Sequence, residues 1–237
     1  MEKIQNINHC HQKIDLEASV FLPMEFDRNS KLHDVILVAH AWVGKDDFAL
    51  SMAQKFSHFG FVGFAMDLYG KGVLGQNTEE NSKLMTPFIQ DRAFLADRLQ
   101  SWVTLAKELY PHSRIHAVGF CFGGLCVLDM ARANMGVNKV ISFHGLFDST
   151  PAYLSLKNKI ESSVLVLHGY KDPMVRPEHM LALAKELNDR NADWVLECFG
   201  NTYHAFSNPT ANDPSLGAYY NPLTAQRAMD HCLRFLS

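Results

Sequence analysis

The sequence predicts one α/β domain over residues 1–237, with a mostly parallel central sheet and helices on both faces. Short aliphatic runs alternate with segments of helical periodicity along most of the chain. Strands separated by helices form βαβ units, which give a parallel sheet covered on both sides. The chain shows no internal repeat, low-complexity tract or linker that would divide it. Its 237 residues are enough for one large core.

The strands and helices are predicted from the hydrophobic period and from the capping, glycine and proline residues that end each segment. Ile14–Leu22 is predicted as an extra edge strand within an N-terminal region, residues 1–30. Val35–Ala39 is a continuous aliphatic run, typical of a strand buried on both faces. Asp46 and Asp47 can cap a helix that continues through residue 59. The further strands are predicted at residues 61–65, 115–118, 140–143, 164–167 and 194–198, and the further helices at 88–109, 122–134, 177–188 and 222–235.

Composition and charge exclude several classes of function. The formal net charge of −3 lacks the basic excess of proteins that bind nucleic acid or anionic membranes. No apolar run approaches the roughly 18 residues of a membrane span, and residues 1–16 lack the apolar core of a signal peptide. The five cysteines are odd in number and form no C-x-x-C pair, which predicts free thiols in a reducing, cytoplasmic environment. The twelve histidines show no metal-binding spacing, so neither a metal nor a cofactor is expected.

A candidate nucleophile follows the strand predicted at residues 115–118. Residues 119–124 read G-F-C-F-G-G and lead into a helix, which is the cysteine version of the G-x-S-x-G nucleophile elbow. Small neighbours allow the sharp strand-to-helix turn, and the helix N-terminus favours a thiolate on Cys121. The Phe122 N–H is then a candidate oxyanion donor. The alternative is that Cys121 is a buried apolar thiol; Cys126, one helical turn later, is predicted to be core.

A carboxylate and a base follow in the chain order that an elbow enzyme needs. Asp172 lies just past the strand at 164–167, between a glycine and a proline, and His204 lies beyond the last strand. Carboxyl ends of parallel strands meet at one edge of a sheet, so Cys121, Asp172 and His204 are expected to lie together. Read singly, Asp172 could be a turn residue and His204 a solvated loop residue. His168 is a weaker second candidate for the base.

The first strand–helix loop supplies the second oxyanion donor in folds of this kind. Here the loop contains Trp42, whose N–H we select as that donor, although its ring could serve packing alone. The segment 208–221 follows His204 and is expected to form either a wall of the pocket or a surface loop.

These residues resemble the dienelactone hydrolase family of the α/β-hydrolase superfamily, and the similarity runs from about residue 35 to the C-terminus. It rests on residues 119–124, on His168-Gly169 with Asp172, on Tyr203-His204-Ala205-Phe206 and on Asp91-Arg92. The resemblance implies a single-domain α/β-hydrolase in which a Cys–His–Asp triad cleaves esters or lactones through an acyl-cysteine. Carried over, Cys121 is the nucleophile, His204 the base and then the acid, and Asp172 the orienting group.

Two positions depart from the family pattern. Ala41 stands where the family has a glutamate, and Asn208 stands where it has an arginine for a substrate carboxylate. Arg92 could supply the missing arginine, or it could pair with Asp91. The predicted function is therefore a cysteine-dependent hydrolase of small esters, lactones or thioesters. The alternative is a non-catalytic thiol sensor or binding module on the same fold; the sequence leaves the oligomeric state open.

Overall fold

A central eight-stranded sheet organises the protein, seen in a computed structural model that describes residues 3–24, 26 and 33–237. The strands are β1 (Lys3–His11), β2 (Ile14–Leu22), β3 (Val35–Ala39), β4 (Val62–Ala65), β5 (Ile115–Phe120), β6 (Lys139–Phe143), β7 (Ser163–Gly169) and β8 (Asp193–Phe199), with a separate hairpin of β9 (Asn212–Asp213) and β10 (Ala218–Tyr219). The helices are α1 (Asp47–His58), α2 (Thr78–Gln90), α3 (Arg92–Leu109), α4 (Phe122–Arg132), α5 (Pro151–Ser155), α6 (Pro177–Asp189) and α7 (Pro222–Leu236).

The order of strands in the sheet is β1-β2-β4-β3-β5-β6-β7-β8. Strand β2 pairs antiparallel with both β1 and β4, and every later pair is parallel. The predicted α/β class, with a mostly parallel sheet, is therefore confirmed. The carboxyl ends of β3, β5, β7 and β8 lie along one edge of the sheet, where the chain leaves each strand in a loop.

Two hydrophobic cores cover the two faces of the sheet, and alternate residues of each strand enter opposite cores because the strand pleat has a period of two. In β3, Val35 and Leu37 enter one core, while Ile36 and Val38 enter the other. The first core packs against α3, α4 and α6, and the second packs against α1 and α7. All five residues of β3 are buried, as its aliphatic run predicts.

The N-terminal segment differs from its prediction in one respect. Ile14–Leu22 is a strand, but it is not at the edge, because β1 pairs along its full length on the outer side. Strand β1 alternates between exposed and half-buried residues and is largely polar, so hydrophobicity gave no signal for it. Residues 1, 2, 25 and 27–30 of the predicted region 1–30 lie outside the described residues.

The helix predicted at residues 88–109 is wrong at its start. The chain forms two helices, α2 and α3, that meet at Asp91. The Asp91 side chain accepts a hydrogen bond from the Phe94 N–H at 2.9 Å, which makes it the N-cap of α3 in a non-helical conformation. A short carboxylate side chain that bonds to nearby backbone competes with helix continuation, so the apolar period runs on while the helix ends. Throughout the described part of the chain, every helix is too short or too polar to cross a membrane.

Candidate active site

The turn from β5 to α4 places Cys121 in a strained conformation at the carboxyl edge of the sheet. Its φ is 56° and its ψ is −115°, in a region that residues with a Cβ rarely adopt. The Cys121 N–H donates to the Phe143 carbonyl at 3.1 Å, and the Cys121 carbonyl accepts from the Gly124 N–H at 2.9 Å. These bonds hold the turn, so the thiol stands half-exposed at the N-terminus of α4.

Close backbone approach explains why glycines flank this turn. A Cβ on Gly119 would stand 1.9 Å from the Gly123 carbonyl oxygen. A Cβ on Gly123 would stand 2.1 Å from the carbonyl oxygen of Ala39, in the neighbouring strand. The obstacles are backbone atoms of adjacent elements, which cannot swing aside as a side chain can. The elbow pattern in the sequence is therefore required by packing, whatever chemistry occurs at Cys121.

Asp172 and His204, the predicted acid and base, are in direct contact. The carboxylate Oδ2 of Asp172 lies 2.7 Å from His204 Nδ1, and both side chains are almost fully buried. The other carboxylate oxygen of Asp172 accepts from the Met174 N–H at 2.9 Å, which fixes the carboxylate plane. His204 Nε2 is also buried and makes no hydrogen bond to nitrogen or oxygen within the described chain. That leaves Nε2 as the ring atom available to Cys121.

The charge state of His204 follows from its neighbours. Burial opposes the imidazolium form, but the negative charge of a Cys121 thiolate and the hydrogen bond to Asp172 outweigh it and raise the pKa of His204 to about 10. His204 is therefore protonated near neutral pH when Cys121 is a thiolate. In that state an attacking group would stand beside a proton donor, which is the pair that nucleophilic catalysis requires.

A cavity of about 370 Å³ opens in front of Cys121 and His204. Its lining is mainly apolar, with Trp42, Phe48, Met85, Leu146, Met174 and Leu216 as the larger side chains. Ala41 and Asn208, the two positions that depart from the family pattern, also line it. Pockets that are mostly apolar and carry a few convergent polar groups are the usual form of a small-molecule site.

The segment 208–221 forms one wall of this cavity, which decides between the two expectations for it. Asn208, Asn212 and Leu216 all line the cavity, and the β9–β10 hairpin lies in the same segment. The hairpin is tied to the base, since the His204 N–H donates to the Gly217 carbonyl at 3.1 Å and the His204 carbonyl accepts from the Tyr219 N–H at 2.9 Å. The wall and the proposed base are therefore held as one unit.

The loop after β3 is held by a histidine that the sequence reading did not single out. His40 Nε2 accepts from the Leu68 N–H at 3.2 Å, so the ring proton is on Nδ1, which donates to the Ala41 carbonyl at 2.6 Å. Burial lowers the pKa of His40, which keeps the ring in this neutral form. The Ala41–Trp42 peptide is trans, so the Trp42 N–H points away from His40.

The two candidate oxyanion donors are both unused within the described chain. The Phe122 N–H belongs to the first residue of α4, where a helix provides no partner. The Trp42 N–H makes no hydrogen bond there either. Tyr69 contacts both donor residues. Its hydroxyl donates to the Trp42 carbonyl at 3.1 Å, and its ring stacks on Phe122.

Two further histidines stand at strand ends, His144 just after β6 and His168 in the last two residues of β7, and their surroundings differ. His144 lines the cavity, stacks edge-on against His204 at 5.2 Å and bonds through Nε2 to the Ser207 hydroxyl at 2.8 Å. The sequence signal for His144 is its place one residue after β6. His168, the weaker candidate base, is fully buried against Phe147 and is outside the cavity lining.

Arg92 is not brought to the cavity. Its guanidinium donates to both carboxylate oxygens of Asp129 in α4, with the Nε contact at 2.6 Å, and also donates to the Asp148 carbonyl. Asp129 is fully buried and contacts Arg132 as well, so Arg92 is part of an internal ion cluster. Arg92 therefore makes neither of the two contacts considered for it, with substrate or with Asp91. Its guanidinium group is held by both carboxylate oxygens of Asp129.

The remaining cysteines divide into two kinds. All five cysteines are unpaired. Cys126 and Cys232 are buried, and burial raises the pKa of both thiols. Cys10 and Cys198 are exposed. Of the five, Cys121 alone lines the cavity.

The chain is similar to proteins of one known family in sequence and in structure. The family model described as the dienelactone hydrolase family matches residues 23–237. An uncharacterized protein of Caenorhabditis elegans is 34% identical over 146 residues, which span 60% of this chain and 92% of that protein. Esterase YpfH of Escherichia coli is 29% identical over 92 residues, 38% of each chain. The solved structure of m3DLH is 25% identical, with a TM-score of 0.87 over 98% of this chain and 96% of that one.

Proposed function

The chain belongs to the dienelactone hydrolase family and is a hydrolase acting on ester bonds; from that premise we propose that it cleaves small carboxylic esters, lactones or thioesters through an acyl-cysteine intermediate. The proposed triad is Cys121, His204 and Asp172. The observation that carries the proposal is the 2.7 Å contact of Asp172 with His204, whose side chain lines the same cavity as Cys121.

In the acylation step, the Cys121 thiolate attacks the substrate carbonyl carbon and a tetrahedral oxyanion forms. The backbone N–H groups of Trp42 and Phe122 donate to this oxyanion, an interaction that typically changes the rate by roughly 10²–10³ per donor. As the C–O or C–S bond breaks, His204 gives its Nε2 proton to the leaving alkoxide or thiolate. Asp172 holds the ring through Nδ1 throughout, so Nε2 faces the reacting atoms.

In the deacylation step, neutral His204 takes a proton from water, and the resulting hydroxide attacks the acyl-cysteine carbonyl. The second tetrahedral intermediate collapses to a carboxylic acid and the Cys121 thiolate, while His204 keeps the proton and the resting ion pair is restored. No oxidant, metal or cofactor enters this balance. A thiolate nucleophile has to stay reduced, which fits the cytoplasmic location that the unpaired cysteines suggest.

Ester turnover and the site of acylation test this function together. We expect hydrolysis of p-nitrophenyl acetate by the purified protein, with a transient acetyl group on Cys121 detected by mass spectrometry. Cys121→Ala should abolish both, whereas Cys198→Ala, which removes an exposed thiol outside the cavity, should leave both unchanged.

Two results would contradict the triad. Acetylation of another residue would reassign the nucleophile. A thiol that reacts with oxidants equally in wild type and in His204→Ala, with no ester turnover in either, would favour the alternative of a thiol sensor.

His40 is expected to act on the rate through the backbone that it holds. His40→Ala removes the donor that fixes the Ala41 carbonyl, so the Trp42 N–H loses its orientation. We expect kcat for p-nitrophenyl acetate to fall roughly 10²-fold, since misplacement by about 1 Å can cost that much, while KM changes little. His33→Ala is the matched control, because His33 is also buried and bonded to a carbonyl, that of Gly60, but is outside the cavity lining. An equal loss of kcat in both variants would contradict the positioning role.

A further inference from the structure

The cavity beside Cys121 has a one-sided charge pattern. None of its lining residues, all of which belong to the described chain, is a lysine or an arginine. Two carboxylates do line it, those of Asp46 and Asp213. Asp46 caps α1 by accepting from the Ala49 N–H, and burial raises its pKa. Asp213 accepts three hydrogen bonds within the hairpin, which lower its pKa.

Two lysines adjoin site residues in the sequence, and Arg92 was expected at the site; all three cations are directed elsewhere. Lys45 precedes Asp46, but its ammonium group bonds to the Ser19 hydroxyl at 2.9 Å and faces Glu17. Lys171 precedes Asp172, and its ammonium group lies over the ring of Tyr203. Arg92 is bound to Asp129. All three cations are therefore engaged outside the cavity lining, and none of them is placed to neutralise a negative substrate group there.

The remaining surface of the cavity suits an uncharged chain. Its large side chains are aromatic, aliphatic or thioether groups. Besides Cys121, His204 and the two carboxylates, its polar side chains are two amides, one hydroxyl and the ring of His144. An ionised carboxylate brought into such a cavity loses water and meets no lysine or arginine, while the imidazolium of His204 is already paired with Asp172 and faces Cys121, so its binding is unfavourable. Like charges on Asp46 and Asp213 add repulsion.

From this lining we propose that the site is specific for neutral, apolar acyl groups and discriminates against acyl groups that carry a carboxylate. The inference rests on the proposed function and narrows its substrate class. It assigns the discrimination to the absence of lysine and arginine from the lining together with the two carboxylates. Binding of a neutral chain uses the apolar wall formed by Trp42, Phe48 and Leu146.

Two p-nitrophenyl esters of equal chain length test this discrimination. The pentanoate ester and the monoester of glutarate differ only in a terminal methyl against a carboxylate. We expect kcat/KM for the glutarate ester to be at least about 10²-fold lower, with the difference mainly in KM. Comparable values for the two esters would overturn the proposal while leaving the proposed function intact. Turnover of neither ester would instead overturn the proposed function.

A gain-of-function variant gives an independent measurement. Asn208 is half-exposed on the cavity wall, and its side chain bonds only within its own turn, to Thr210. Asn208→Arg places a cation in the lining, so the glutarate-to-pentanoate ratio of kcat/KM should rise at least about tenfold. Gln100→Arg adds the same charge on the exposed face of α3, outside the cavity lining, and should leave the ratio unchanged.

A second variant keeps the test decisive if Asn208→Arg fails to fold. Asn212 lies on the same wall and is exposed, so Asn212→Lys should raise the ratio in the same direction. A ratio that stays at the wild-type value in a folded cavity variant would overturn the proposal, as would an equal rise in Gln100→Arg. The second outcome would mean that overall net charge, and not the lining, governs selection.

Discussion

Replacing Asp172 by asparagine is expected to lower kcat for ester hydrolysis roughly 10⁴-fold, the scale of effect seen when a triad carboxylate is replaced by its amide. Asp172 Oδ2 accepts from His204 Nδ1 at 2.7 Å. An asparagine amide can instead donate to Nδ1, which then carries no proton, so Nε2 is protonated in the neutral ring and cannot take a proton from water. The measurement is steady-state turnover of p-nitrophenyl acetate.

Asp46→Asn is the matched control for this change. Asp46 lines the same cavity but caps α1, a position at which asparagine serves equally well. We expect its neutral-ester turnover to stay within a few-fold of wild type. If both substitutions reduce kcat equally, cavity charge and not ring orientation governs the rate, and the triad role of Asp172 is wrong.

The titration of His204 separates a catalytic effect from a structural one. Asp172 helps to raise the pKa of His204 to about 10, so the imidazole should titrate near that value in wild type and at a lower pH in Asp172→Asn. Nuclear magnetic resonance of the ring protons, assigned with His204→Gln, measures this directly. A folded Asp172→Asn protein with an unchanged His204 titration would contradict the assigned contact.

The largest loss of stability is expected from Asp129→Ala. Asp129 is fully buried and accepts from the guanidinium of Arg92 and from that of Arg132. Removing the carboxylate leaves Arg92 nearly buried without its ion partner, which typically costs about 3–5 kcal/mol of unfolding free energy. Arg132 keeps its bonds to Glu186, so the loss should fall mainly at the junction of α3 with α4. Urea denaturation measures it.

Asp97→Ala is the control for the loss of a carboxylate from the same region. Asp97 lies on α3 and accepts from the side chains of His11 and Gln12, but it is more than half exposed. We expect it to cost less than about 1 kcal/mol, as exposed pairs usually do. Similar losses of unfolding free energy in the two variants would contradict the view that burial makes the ion pairs of Asp129 important for stability.

Local sequence signals were sufficient to predict most strands of the sheet. The aliphatic run of β3 and the G-x-C-x-G-G elbow each encode their own conformation, because burial on both faces and backbone crowding act on residues close together in the chain. Strand β1 and the break at Asp91 escaped prediction. The first depends on backbone pairing with β2, and the second on one side-chain cap, and neither changes the hydrophobic period.

The side-chain contacts around the site were harder to predict from the sequence. Arg92 was expected near the substrate because it resembles a family position, but its partner Asp129 is 37 residues away in the chain. The tautomer of His40 depends on Leu68, 28 residues away, and the cavity wall from 208–221 depends on hairpin pairing. Such contacts arise only when the sheet brings separate loops to one edge.

The sequence by itself determined the α/β class, the order of the strands from β2 to β8 and the three candidate residues, because each of these follows from local hydrophobic period or from position just past a strand. Tertiary structure alone decided which charges face the cavity. In the folded chain Asp172 contacts His204, and Arg92 is bound to Asp129 in a buried ion cluster. The cavity lining is mainly apolar and contains the carboxylates of Asp46 and Asp213. Charge pairing is set by distances between side chains that are remote in sequence, and those distances exist only once the chain has folded.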